Sequence, residues 1–179
     1  MVDHVSNEKD RRNKWLIFFL SLVVPFYFLY ILIKLYNTHD FSDSEPKHKN
    51  FSWNNKSLAF LILVILVFVG SIALIVLSYS TGHSLMIGPN YSMQTHAMVA
   101  GSILVLSGLL FILSIVALIL EINMITKLMS THYFEDGFIK HKPSDGDSFI
   151  LWLIVCLIFP LATLYLEYKI SEIYANHMV

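Results

Sequence analysis

Between Lys56 and Glu121 the chain carries no Asp, Glu, Lys or Arg. A water-soluble domain needs charge on its surface, so a run of this length without any belongs in a bilayer. Two stretches inside it, 57–80 and 96–120, are each long enough, at about 1.5 Å per helical residue, to cross a hydrocarbon core of about 30 Å. Composition agrees: 56% of the 179 residues are apolar and only 14% are charged, more apolar surface than a soluble core of this size can absorb.

Two further apolar segments, 15–36 and 149–170, flank this pair. The rest is a basic polar N-terminal tail over 1–14, a polar linker over 37–56, an uncharged loop over 81–95, a charged loop over 121–148 and a tail over 171–179. The fold class expected is a single all-α integral membrane domain of four apolar helical segments, with the middle two spanning. The N-terminal tail and Trp15–Val24 imitate a signal peptide, but Pro25-Phe26-Tyr27-Phe28 stands where small residues would mark cleavage, so an uncleaved anchor is expected.

The outer segments differ from the middle pair in carrying Pro25 and Pro160 near their centres. Pro25-x4-Tyr30-x3-Lys34 recurs as Pro160-x4-Tyr165-x3-Lys169, and Tyr36-Asn-Thr-His39 resembles Tyr174-Ala-Asn-His177, which reads as a divergent internal repeat. A proline removes a helical hydrogen bond and clashes with the preceding turn, making both positions candidate helix breaks. Lys and Arg favour the cytoplasmic side of a membrane. Four full spans divide the 12 basic residues between both sides, whereas two re-entrant hairpins broken at the prolines put all of them on one side. Re-entrant hairpins are therefore favoured, with full spans as the alternative. The Lys/Arg-bearing segments are expected in the cytoplasm and loop 81–95 outside. Tyr30, Lys34, Tyr165 and Lys169 would anchor the segment ends at the interface.

On the third segment Ala100, Ser107 and Ser114 recur every seven residues beside Gly101 and Gly108, and the second segment offers Gly70 and Ser71. Small residues let helices approach closely in lipid. This stripe should face another helix, within the chain or in a homodimer. No ionisable group lies in the middle of either helix, which argues against ion-coupled transport.

Candidate chemistry is sparse. The uncharged loop carries His83-x2-Met86 and Met93-x2-His96, a set that could hold Cu(I) through thioether and imidazole ligands, although interfacial His and adaptable Met are the simpler reading. The remaining histidines, His4, His39, His48, His132, His141 and His177, fall in tails or polar loops and read as solvated or interfacial. Glu135-Asp-Gly137 and Asp145-Gly-Asp147 read as turns, because the spaced oxygen ligands of a calcium loop are missing. Neither a phosphate-binding loop, a nucleophile elbow nor a zinc-hydrolase motif is present, so no catalytic residues are assigned. A net charge of −1 without a basic run gives no reason to expect a nucleic-acid partner. Cys156 is alone and cannot form an intrachain disulfide.

The run Tyr27-Phe-Leu-Tyr30-x3-Lys34-Leu-Tyr-Asn37, following a helix break, resembles that of small bacterial polytopic membrane proteins of unknown function, which typically place glycine at the break. The resemblance covers about 20 residues, recurs loosely near Tyr165 to Asn176, and implies no activity. The expected function is thus a non-enzymatic membrane protein that binds another membrane component, as an accessory, immunity-type or envelope protein. Copper or small-solute handling through the 83–98 loop, and an oligomeric passive pore, are the alternatives.

Overall fold

The computed structural model describes residues 3–4, 11–24, 26–42, 46–87, 93–135, 137–144 and 148–178, without the side chains of 3, 4, 82–87, 93–96 and 178. It divides into two units, one formed by 1–58 with 119–179 and the other by 59–118.

The second unit consists of most of α3 (Asn55–Ile87) and α4 (Met93–Ser130). These two helices are long and apolar enough to cross a membrane, over Asn55–Thr81 and Ala97–Ser130. Their side chains in this unit are mostly exposed, as lipid-facing chains would be. A Cβ on Gly70 would collide with Leu110 Cδ2, so the glycine permits a close approach between the helices, beside buried Leu110 and Ala117. By contrast, nothing lies within 4 Å of a Cβ placed on Gly101 or Gly108, and Ala100 and Ser114 are exposed while Ser107 is half-buried. The hydroxyls of Ser71, Ser107 and Ser114 each donate to the carbonyl four residues back, to Val67, Ile103 and Leu110, which satisfies them inside their own helix.

In the first unit each outer apolar segment is two short helices. Asn13 caps α1 (Lys14–Val23) by accepting from the amides of Trp15 and Leu16, and the helix stops before Pro25. Pro25 itself lies outside the described residues, but Phe26 beside it has φ 64, a left-handed conformation that no helix interior allows. The chain resumes as α2 (Tyr27–Asn37). In the last segment α5 (Phe149–Ile158) ends at Phe159 and Pro160, and α6 (Ala162–Ala175) begins behind them. The freed Pro160 carbonyl is not wasted: it accepts from the amide and hydroxyl of Thr163.

The helices α1 and α6 pack through Trp15 and Phe18 against Tyr168, at ring separations of 5.1 and 5.8 Å. Arg12 lies over the Tyr174 ring at 4.4 Å. Glu172, with its side chain only 9% exposed, bridges Lys14 and Lys169. Although burial pushes its carboxyl upward, the bonds from the two ammonium groups win and hold it below the usual carboxylate value. Of the expected anchors, Lys34 donates to the Tyr30 hydroxyl at 3.1 Å and Lys169 stands over the Tyr165 ring at 5.9 Å. The core of the unit is formed by Ile31, Leu32 and Leu35 of α2, Ile122, Ile125 and Leu128 of α4, and Leu166 and Ile170 of α6.

Each of these three core helices ends at a short antiparallel strand pair. After α2 comes β2 (His39–Asp40), paired with β3 (Lys47–His48). After α4, which continues ten residues into the segment expected to be a loop, comes β4 (His132–Glu135), paired with β5 (Phe138–His141) through a turn at Gly137, φ 81. After α6 comes β6 (His177–Met178), paired with β1 (Asp3–His4) from the start of the chain.

Candidate metal centre

The registers of the three strand pairs place histidine opposite histidine each time: His39 against His48, His132 against His141, and His177 against His4. Local sequence explains why each helix stops where its histidine begins. The last carbonyls of a helix lack intrahelical donors. Here Thr38 and Thr131 hydroxyls donate to the carbonyls of Lys34 and Lys127, and the Asn37 and Asn176 amides donate to those of Ile33 and Glu172. Lys49 N then donates to Thr38 O at 2.9 Å, and Lys142 N to Thr131 O at 3.0 Å, fastening each returning strand.

The same helix ends orient the imidazoles. Nδ1 of His39, His132 and His177 lies 2.6, 2.6 and 2.7 Å from the carbonyl oxygens of Leu35, Leu128 and Ile173. A carbonyl only accepts, so Nδ1 carries the proton and Nε2 of the neutral ring presents its lone pair. Metal-ligating histidines are fixed in this way by a hydrogen bond on the other nitrogen.

The lone pairs converge. His39, His48, His141 and His177 have their ligand nitrogens within 4.8 Å of one another, and His132 joins them at ring separations of 5.0 Å from His39 and 4.8 Å from His141. The ring of His39 stands 4.9 to 5.2 Å from each of the other four. Those four follow one another at 4.6 (His48–His141), 4.8 (His141–His132), 5.3 (His132–His177) and 5.3 Å (His177–His48), with His141 and His177 at 6.5 Å across the square. Five imidazoles thus form a square pyramid with His39 at the apex. Opposite the apex lies the sixth direction of an octahedron. His4 holds the register position equivalent to His48 and His141, but its side chain is outside the described residues.

His39 Nε2 approaches His177 Nε2 to 3.2 Å. Both nitrogens carry lone pairs in the tautomer fixed by their helices, and two lone pairs at that distance repel. Protonating one ring would relieve the repulsion, yet burial pulls the His39 imidazole down to about 4, even against the bond to Leu35 that favours the charged form. A shared metal ion relieves it without that penalty. Around a first-row divalent ion with metal–nitrogen bonds of about 2.0–2.1 Å, neighbouring ligand nitrogens stand about 2.8–3.0 Å apart at right angles and about 3.3–3.4 Å apart at the tetrahedral angle, a span that includes the 3.2 Å approach. The Nε2 atoms of His48, His132 and His141 are fully buried, so the centre is shielded from water.

Among the described residues no carboxylate or thiolate belongs to the cluster. Neutral imidazoles suit Zn, Cu, Fe and Ni, and leave the ion's charge uncompensated, which favours a divalent over a trivalent state.

Five of the six histidines expected to be solvated or interfacial are therefore mutual neighbours: His39 is 1%, His177 0% and His132 6% exposed. The copper candidates fall elsewhere, His83 and Met86 near the end of α3 and Met93 and His96 at the start of α4, with side chains outside the described residues. A signal for the histidine cluster does exist in the sequence. Thr38-His39-x8-His48-Lys49 repeats as Thr131-His132-x8-His141-Lys142, and Lys precedes the second histidine both times. Comparison with family models, with curated proteins and with solved structures finds no match for this chain.

Proposed function

We propose that this protein is a membrane metalloprotein that holds one divalent first-row transition metal ion in an all-imidazole centre. The 3.2 Å approach of His39 Nε2 and His177 Nε2, with both rings oriented by helix carbonyls, is the observation that carries this reading. Five described ligands leave at most one coordination position, whereas catalytic zinc sites use three protein ligands and keep a position open for substrate. The centre is accordingly a resident structural or electron-transferring one, and the protein a binding protein rather than a hydrolase.

In this proposal α3 and α4 cross the bilayer, and the pairs α1–α2 and α5–α6 enter and return on the same side. Ten-residue helices such as α1 and α5 reach about 15 Å, half the hydrocarbon thickness. All 12 Lys and Arg then share one face with the metal centre, and loop 81–95 lies on the other. Single cysteines at positions 50 and 90 in a Cys156→Ser background test this topology. Labelling of both from the same side would refute it.

Metal analysis of the purified chain, wild type against His39→Ala and His177→Ala, tests the centre. One metal per chain, lost in both variants, is expected.

A second reading rests on Gly101 and Gly108, whose open surroundings leave the small-residue face of α4 available to a helix of another membrane protein or a second copy. Gly108→Leu would then abolish crosslinking to that partner in membranes.

A further inference from the structure

Beside the metal centre is a cavity of about 460 Å³ whose wall includes Lys49, Lys56, Lys127, Asn54, Asn123 and Asp40. Three of its lining lysines come from three parts of the chain: the strand end after β3, the first turn of α3 and the last turns of α4. Lys49 and Lys127 are half-buried, and neither makes an ion pair among the described residues. Lys56 is held toward the wall by donating to Asn123 Oδ1 at 3.0 Å. Asp40, which accepts from the Ser42 amide, offsets one of the three charges. The net charge facing the cavity is then about two positive, matching a phosphate group at about −1.5 to −2 better than a single carboxylate.

We propose that this cavity binds a phosphate group, carried by an anionic lipid headgroup or by a soluble phosphate monoester. Lysine acts on phosphate as a compact point charge, and basic pockets at the ends of spanning helices take lipid headgroups. Lys56 is the last charge before the uncharged run and Asn123 lies two residues past the first charge after it, so the cavity sits at headgroup depth in the proposed topology. The phosphate proposal stands on the lysines and does not need the metal.

The test uses the full chain in detergent, with phosphatidic acid, phosphatidylcholine and glycerol 3-phosphate as probes, read by native mass spectrometry and by thermal unfolding. Phosphatidic acid should be retained over phosphatidylcholine. Affinity should fall about fivefold in Lys127→Gln and about 25-fold in Lys49→Gln/Lys127→Gln, at about one lysine's surface attraction each. Lys127→Arg should retain binding, and metal content should stay constant across the series. Protection by glycerol 3-phosphate equal to that by the lipid assigns a soluble ligand, and protection by the lipid alone assigns the headgroup. If the double variant does not fold, Asn123→Asp, which adds a negative charge to the wall, should abolish binding. Equal retention of both lipids with no effect of glycerol 3-phosphate, or unchanged affinity in the lysine variants, overturns the proposal.

Discussion

The two units of this protein solve opposite problems with the same element. In 59–118 the helices carry no charge, bury few side chains, and satisfy serine hydroxyls on their own backbone, as a solvent that offers no hydrogen bonds would require. In the other unit three helices end inside the protein, and each end must be satisfied by side chains. Thr38, Thr131, Asn37 and Asn176 do most of this, and histidine does the rest. The difference teaches where chemistry can be placed on a helical scaffold: a helix terminus needs donors, and an imidazole that donates from Nδ1 is left with a directed lone pair on Nε2. Three such ends, brought together, make a centre that no single one of them could make.

The largest expected contrast between the units is in metal binding. His39→Ala or His177→Ala should lower affinity by more than 100-fold, since loss of outer-shell partners alone commonly costs 10–100-fold. His83→Ala with His96→Ala, in the other unit, should leave it unchanged, as measured by competition with a chromophoric chelator. His4→Ala tests the register argument, and a loss comparable to that of His48→Ala is expected.

Stripping the metal should act on one unit only. With ligand at about 1,000 times its dissociation constant the bound form gains about 4 kcal/mol. Chelation should therefore lower the unfolding temperature and expose the amides of Leu128, Thr131 and Ile173 to hydrogen exchange, while α3 and α4 keep their protection between 59 and 118.

In the metal-free protein His39 makes stability depend on pH. Its value is depressed from 6.5 to about 4, so the unfolded chain binds the proton first; stability is full above pH 6.5 and falls until about pH 4. The loss is on the order of 3 kcal/mol at 1.36 kcal/mol per unit. Thermal unfolding of the apo protein at pH 7.5 and 5 measures it, and His39→Phe should flatten the profile.

Smaller effects separate the packing of the units. Gly70→Leu should cost about 1–3 kcal/mol by overpacking against Leu110, whereas Gly101→Leu should be near neutral for the isolated chain. Glu172→Gln should cost about 1 kcal/mol, because both lysines of that bridge are about a third exposed and solvent screens them.

How much of this was legible in the sequence follows from the range of each signal. The uncharged run and the prolines are local, and α3, α4 and the breaks before Tyr27 and Ala162 stand where those signals put them. The helical extension through Ser130 was hidden because polar residues on an exposed-looking segment resemble a loop, although Met124, Ile125 and Leu128 keep a helical apolar spacing. The centre was hidden for a different reason. Its ligands come from positions 39 to 177, and each hairpin separates its pair by eight residues, wider than the spacings of familiar zinc motifs. The likeness of Tyr36-Asn-Thr-His39 to Tyr174-Ala-Asn-His177 was visible as a repeat, yet only the third helix end, Ser130-Thr131-His132, turns a pair of similar tails into a site.

The most direct test of the centre is X-ray absorption spectroscopy on the full chain purified without added metal, combined with elemental analysis. The account expects one first-row metal per chain, with a shell of five or six nitrogens at about 2.0–2.2 Å and the multiple-scattering pattern of imidazole. A sulfur shell at about 2.3 Å, which would point to Met86 and Met93, or a chain that binds no metal when titrated with Zn, Cu, Fe or Ni, would contradict it.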